Sequence, residues 1–165
     1  MMAATDGALP DIETRACEDH HLALRLWLRL LTCTNLIEGD VRRRLTQRFS
    51  FTLPRFDLMA QLDRCPEGLT MSALSKRMMV TGGNVTGITD QVEREGYVAR
   101  EVDPDDRRVV RVRLTDAGRA AFAVMAAEHE AWIKDLMGGL SEAEIKQLLD
   151  LLGRLKGHIV EARTP

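Results

Sequence analysis

The chain is short of the residues that most often carry chemistry. Its three cysteines, Cys17, Cys33 and Cys65, are scattered through 165 residues without a Cys-x-x-Cys spacing, so neither a zinc site nor a disulfide framework is signalled and a reduced, cytoplasmic chain is expected. The four histidines are His20, His21, His129 and His158. They form no His-Glu-x-x-His motif, and neither Gly-x-Ser-x-Gly nor a P-loop occurs. Adjacent His20 and His21 would point to different faces of a helix, which is poor metal geometry. No catalytic residue, metal or cofactor is therefore expected, and the chain does not read as an enzyme. No run approaches the roughly 18 apolar residues of a membrane span, and the first twenty residues are acidic rather than basic and then apolar. Aromatic residues make up only 4%, while Leu, Val, Ala and Met are plentiful, which favours helices packed by aliphatic side chains.

A formal charge of −2 rules out an overtly basic protein, but the charge is unevenly spread. Residues 25–113 hold 16 Lys and Arg against 12 Asp and Glu, and the flanks hold 7 against 13. The middle of the chain is where an anion would bind.

Within that middle, Thr81 to Tyr97 reads as a helix with Thr81 as its cap and Gly96 as its stop. Val85, Ile88 and Val92 recur at helical spacing and should point inward. Asn84, Thr86, Gly87 and Gln91 are left on the other face. Solvent-facing helices are usually filled with Lys and Glu, whereas short polar side chains permit the close backbone approach that a DNA groove demands. A capped surface helix of poor formers has the same pattern, so the neighbouring elements must decide.

Those neighbours fit. Residues 71–79 form a second short helix, with Leu74 and Met78 inward, and a tight turn at Val80 and Thr81 joins it to residues 82–95. This is helix-turn-helix spacing. Lys76 and Arg77 stand near the end of the first helix, where phosphate contacts are expected. Downstream, 98–102 and 109–114 are β-rich. Val110, Val112 and Leu114 alternate with Arg111 and Arg113, giving one apolar and one basic face. The connection Asp103 to Arg108 has turn chemistry followed by Arg107 and Arg108. A hairpin with arginines at its tip, directly after a helix-turn-helix, is a wing suited to the minor groove, with Asp106 bracing Arg108.

Residues 1–16 have no periodicity and read as a mobile arm. From about Cys17 to Gly39 a helix carries Leu22, Leu24, Leu26, Trp27, Leu28, Leu30 and Leu31 around most of its circumference, so burial on several sides is expected, with a second copy of the chain as cover. Its remaining stripe is His21, Arg25, Arg29 and Thr32. That stripe is either a solvated face or one wall of a cavity for a carboxylate, to which a guanidinium fork is matched. Trp27 lies nearly opposite Arg25 and would have to approach a ligand from another wall. Arg42, Arg43, Arg44 and Arg48 follow as a charge run at a helix end, either solvated or touching phosphate. Thr52 and Pro54 open another helix with Phe56, Met59 and Leu62 inward. Thr115 caps a helix containing Ala117, Ala120, Ala121, Val124, Met125, Trp132 and Ile133. Ser141 and Glu144 form a capping box for a last helix carrying Ile145, Leu148, Leu149, Leu152, Leu155 and Ile159.

The expected architecture is mainly α with a small β-hairpin wing: a winged helix-turn-helix over 51–115, and an intertwined helical dimerisation region made of 17–50 and 116–165. The order of elements, the stretch LTMSALSKRMMVTGGNVTGITDQVEREGYV (69–98) and the wing pattern DPDDRRVVRVRLTDAGR (103–119) resemble the MarR family of winged-helix regulators over almost the whole chain after the arm. The resemblance implies a homodimer that binds double-stranded, pseudo-palindromic operator DNA, usually as a repressor. It also implies release by a small aromatic carboxylate or its coenzyme A thioester. His21, Arg25, Trp27 and Arg29 are the candidate effector residues. Family members often carry a Ser-Thr pair and an Arg where this chain has Gly83, Asn84 and Gly87, so readout would fall to Asn84, Thr methyl groups and DNA shape. Two alternatives stand beside this reading: redox sensing through Cys17, where peroxide-sensing relatives place a thiol, and a helical protein-interaction module without DNA binding.

Overall fold

The computed structural model describes residues 22–103, 106 and 108–162. The proposed arm, Cys17, His21 and Arg107 therefore lie outside the described residues. Two compact units are present, Met1–Ala123 and Val124–Pro165.

The first unit opens with α1 (Leu22–Phe49), one continuous helix of 28 residues. The expected end near Gly39 is not observed. Glu38 pairs with Arg42, and Asp40 pairs with both Arg43 and Arg44. Acidic residues three and four positions before basic ones support a helix through a glycine. The arginine run is thus partly neutralised in the body of α1 instead of fraying at its end. Val41 and Leu45 anchor the C-terminal part of the helix in the core. Its N-terminal leucines behave differently: Leu22, Leu24, Leu26, Leu31 and Leu36 are all exposed. Of the apolar circumference read from the sequence, Leu28 and Leu30 are half-buried, while Leu22, Leu24, Leu26, Trp27 and Leu31 are left exposed.

Helix α2 (Leu53–Asp63) starts with Pro54 in its first turn, where a missing N–H costs nothing. Thr52 occupies the cap position, but its side chain makes no cap hydrogen bond. The helix buries Phe56, Leu58, Met59 and Leu62, and the Phe56 ring lies 5.4 Å from that of Phe122. After β1 (Leu69–Thr70) come α3 (Met71–Met78) and α4 (Gly82–Arg94). Strands β2 (Val98–Val102) and β3 (Val110–Leu114) follow. The sheet is antiparallel in the order β1-β3-β2, so the hairpin gains a third strand through Leu69 opposite Val112 and Thr70 opposite Arg111. Leu45, Leu58, Met59, Leu62, Leu74, Val85, Thr89, Val92 and Val112 are all less than 2% exposed. Each such aliphatic side chain contributes roughly 1.5–3 kcal/mol by leaving water, and together they hold α2, α3, α4 and the sheet as one body.

Helix α5 (Asp116–Leu136) begins in the first unit and ends in the second. Thr115 caps it as expected, its Oγ1 accepting from the Gly118 N–H at 2.9 Å. In the second unit α6 (Glu142–Glu161) carries the expected Ser141–Glu144 capping box and has no buried residue. Leu148, Leu149, Leu151, Leu155, Ile159 and Val160 lie exposed along it.

Candidate nucleic-acid interface

The α3–α4 corner is built by local hydrogen bonds. Thr70 Oγ1 accepts from the Ala73 N–H at 3.2 Å and starts α3. Met79 ends the helix in the left-handed region at φ 54°, with its side chain almost fully in solvent. Ser75 then closes the turn: its hydroxyl donates to the Val80 carbonyl at 2.6 Å, and its own carbonyl accepts from the Val80 N–H. Thr81 occupies the cap of α4 through its backbone alone, with no side-chain hydrogen bond. At the other end Gly96 takes φ 79°, and the Gly96 and Tyr97 N–H groups bond the Glu93 and Val92 carbonyls. This left-handed glycine stop satisfies the last turn of α4.

The inward face of α4 is Val85, Thr89 and Val92. Thr89 replaces the expected Ile88 as the fully buried residue, because its hydroxyl is satisfied by the Val85 carbonyl at 2.7 Å and only a methyl is left to pack; Ile88 is half-buried. Gly83, Asn84, Thr86, Gly87 and Gln91 are all exposed on the opposite side. Beyond the adjoining residues and the helix's own backbone, no atom lies within 4 Å of where a Cβ at Gly82, Gly83 or Gly87 would stand. Lys76 and Arg77 are exposed on α3, and the Arg77 guanidinium reaches back 2.9 Å to the Cys65 sulfur.

Sequence reading left one organising residue unnoticed, Arg100. From β2 it binds both Asp90 and Glu93 on α4, tying the hairpin to the helix and neutralising two carboxylates beside its outer face. The basic face of β3 is also less cationic than its sequence suggests: Arg111 pairs with Asp103 and Arg113 with Glu101. Only the cross-strand register brings these acids opposite the arginines. Near the hairpin tip, Asp106 Oδ1 accepts from both the backbone N–H and the Nε of Arg108, at 3.0 and 3.3 Å. The Arg108 side chain is 92% exposed. Val110, expected inward, is 40% exposed and lies opposite Val102 beyond the reach of the core.

This arrangement of helix, turn, helix and hairpin is matched in sequence by the MarR family over residues 51–110. The HTH-type transcriptional regulator PecS of Dickeya dadantii is 30% identical over 135 residues, covering 81% of this chain and 81% of that relative. The chain belongs to the MarR family. It is a winged-helix transcriptional regulator. Streptococcus pneumoniae FabT, solved in complex with DNA, superposes with a TM-score of 0.72 at 28% identity, covering 86% of this chain and 99% of that one. CouR from Rhodococcus jostii RHA1, solved bound to p-coumaroyl-CoA, has the same fold, with a TM-score of 0.72 at 20% identity over 83% of this chain and 95% of that one.

Against this MarR frame the candidate effector residues divide. Arg25 and Arg29 come together with Leu22 and Leu26 around an open depression of about 220 Å³ on α1. Trp27 is not part of that lining and stands 56% exposed. Two guanidinium groups among leucines can hold a carboxylate or phosphate at one end and an apolar ring at the other. Among the described residues no cluster of three His, Cys, Asp or Glu could hold a metal ion, and no helix is long and apolar enough to cross a membrane.

Proposed function

We propose that this MarR-family chain is a repressor that binds a pseudo-palindromic operator as a homodimer and is released by a small aromatic acid or its coenzyme A thioester. The observation that carries the DNA reading is the bare outer face of α4. A glycine inside a helix costs about 0.5–1 kcal/mol relative to alanine, and no neighbour within 4 Å explains Gly83 or Gly87. What the chain gains is a helix backbone that a major groove can approach closely.

In this reading Asn84, Thr86 and Gln91 meet base edges across Gly83 and Gly87, and Lys76 and Arg77 meet phosphates. Arg107 and Arg108 enter the minor groove, with Asp106 holding Arg108 extended. The exposed leucines of α1 and α6 support dimerisation, because monomeric proteins rarely leave such apolar faces in water. A helical region of 17–50 and 116–165, intertwined with a second copy, would cover them. The α1 depression, with Arg25 and Arg29, is the effector wall, to which His21, four positions before Arg25 in the sequence, is added as a candidate, and the p-coumaroyl-CoA held by CouR supports the ligand class. These roles need no catalytic residue.

The test is a fluorescence-anisotropy titration of the full chain on its own upstream DNA at several salt concentrations, with and without aromatic acids and acyl-coenzyme A thioesters. Tight binding with a steep salt slope, abolished by one compound, is expected. Weak binding with no preference for any DNA sequence would sink the operator reading. Tight binding that no compound affects would sink the effector half.

A further inference from the structure

We propose that Thr86 reads the 5-methyl group of a thymine in each operator half-site, an inference that rests on the DNA reading above and assigns one of its specificity contacts. The Thr86 hydroxyl donates to the Gly82 carbonyl of its own helix at 3.0 Å. Its one proton is therefore committed, and the Cγ2 methyl is the apolar end of an exposed side chain. Thr89 has the same internal hydrogen bond but is fully buried, so of these two threonines only Thr86 can offer its methyl outside.

The surroundings make that methyl prominent. On a helix the neighbours of position 86 are 82, 83, 89 and 90. The first two are glycines with open space where a Cβ would be. Thr89 is turned into the core, and Asp90 is held by Arg100. Positions 82 and 83 carry no side chain that could overhang Thr86, and the Asp90 carboxylate is already engaged by Arg100 instead of competing for a place against a base pair. Asn84 stands roughly 160° around the axis from Thr86, with Gly83 and Gly87 on the arc between them. A small apolar knob on a flat, side-chain-free surface fits a small apolar feature, and the thymine methyl is the apolar group that the major groove displays. A contact with sugar or phosphate would use the same knob without sequence preference.

The experiment first selects operators from random duplexes with the full wild-type chain. Each thymine of the selected half-site is then replaced singly by deoxyuridine, which keeps base pairing and O4 and removes only the methyl. Wild-type affinity should drop about three- to tenfold at one position per half-site, the scale of one buried methyl. Thr86→Ser, which keeps the hydroxyl and loses the methyl, should bind the thymine operator weaker by a similar factor and be indifferent to deoxyuridine there. Thr86→Val should keep the wild-type preference. A flat deoxyuridine scan with the wild-type chain, or a Thr86→Ser chain still sensitive at the same position, overturns the inference while leaving operator binding intact. Failure of the selection to enrich any sequence overturns the operator reading, and this inference with it.

Discussion

Thr115 Oγ1 donates to the Gly96 carbonyl at 2.7 Å, nineteen residues back along the chain, while accepting from the Gly118 N–H. The Thr115 N–H bonds the Tyr97 carbonyl at 3.0 Å as well. One residue therefore joins the stop of α4, the exit of the wing and the cap of α5. The Leu-Thr-x-x-Gly pattern at 114–118 follows from this joint, because a Cβ on Gly118 would stand 1.9 Å from the Tyr97 carbonyl oxygen. Thr115→Val should cost about 1–3 kcal/mol in urea unfolding, since two backbone partners lose their mate. Gly118→Ala meets backbone that cannot rotate away and should destabilise at least as much. A Gly118→Ala chain with an unaltered unfolding midpoint would show that the joint is not as tight as its geometry implies.

Arg100 and Arg108 should separate helix organisation from DNA contact. Arg100→Gln leaves Asp90 and Glu93 without their cation. Stability should fall by no more than about 1 kcal/mol, as partly exposed pairs contribute little, but operator affinity should drop because two uncompensated carboxylates face the phosphates. Arg108→Ala should leave the melting temperature unchanged, the side chain being 92% exposed, and lose about 1–3 kcal/mol of operator affinity. Equal affinity of the Arg108→Ala chain and wild type would remove the wing tip from the interface.

Period, caps and turn chemistry made the α3–α4 corner, the wing strands and the last two helices legible in the sequence, because each depends on residues within a few positions of one another. Gly96 stops α4, and Thr115 and Ser141 start α5 and α6, where local rules place them. What was not legible depends on distance along the chain. Arg100 cannot be assigned to Asp90 and Glu93 until β2 is seen beside α4. The neutralisation of Arg111 and Arg113 needs the register of β2 on β3, and β1 becomes a strand only because Val112 lies opposite Leu69. Ile88 and Thr89 are adjacent, and choosing which is buried requires knowing that a threonine can discharge its hydroxyl on its own helix. The end expected at Gly39 failed because one ion pair spans the glycine and two more follow it directly, and together they outweigh its weak helix propensity.

His129, half-buried on α5, has its imidazole pushed below the ordinary value of 6.5 by desolvation. The folded state therefore favours the neutral ring, and the unfolded chain takes up the proton first. Stability carried by this residue is complete above 6.5 and is lost as pH falls from there toward the lowered folded value. Urea midpoints measured on either side of pH 6.5 should fall with acidification in wild type and fall less in His129→Gln. Parallel pH profiles for the two proteins would exclude the histidine as the source.

Arg25→Met with Arg29→Met tests the α1 depression. Both side chains line it together with Leu22 and Leu26, and methionine keeps the apolar length while deleting both charged forks. The double variant should bind operator as wild type does and no longer respond to an aromatic acid or acyl thioester that releases wild type. An unchanged ligand response would place the effector elsewhere.

Gly87→Ala separates what α4 needs for folding from what it needs for its partner. Within the chain the substitution should help: the position is helical and exposed, nothing lies within 4 Å of the new Cβ, and alanine is the better helix former by about 0.5–1 kcal/mol. On an operator it should harm, because the added methyl stands on the arc between Asn84 and Thr86 where the groove floor must come closest. The expected outcome is a higher unfolding midpoint together with weaker operator binding, opposite signs from one methyl group. If Gly87→Ala gained stability and kept full affinity, the bare face of α4 would not be the surface that meets DNA, and the glycines would need another explanation. If it lost stability, the helix would be meeting a neighbour, such as a second copy of the chain, that is absent from a single chain.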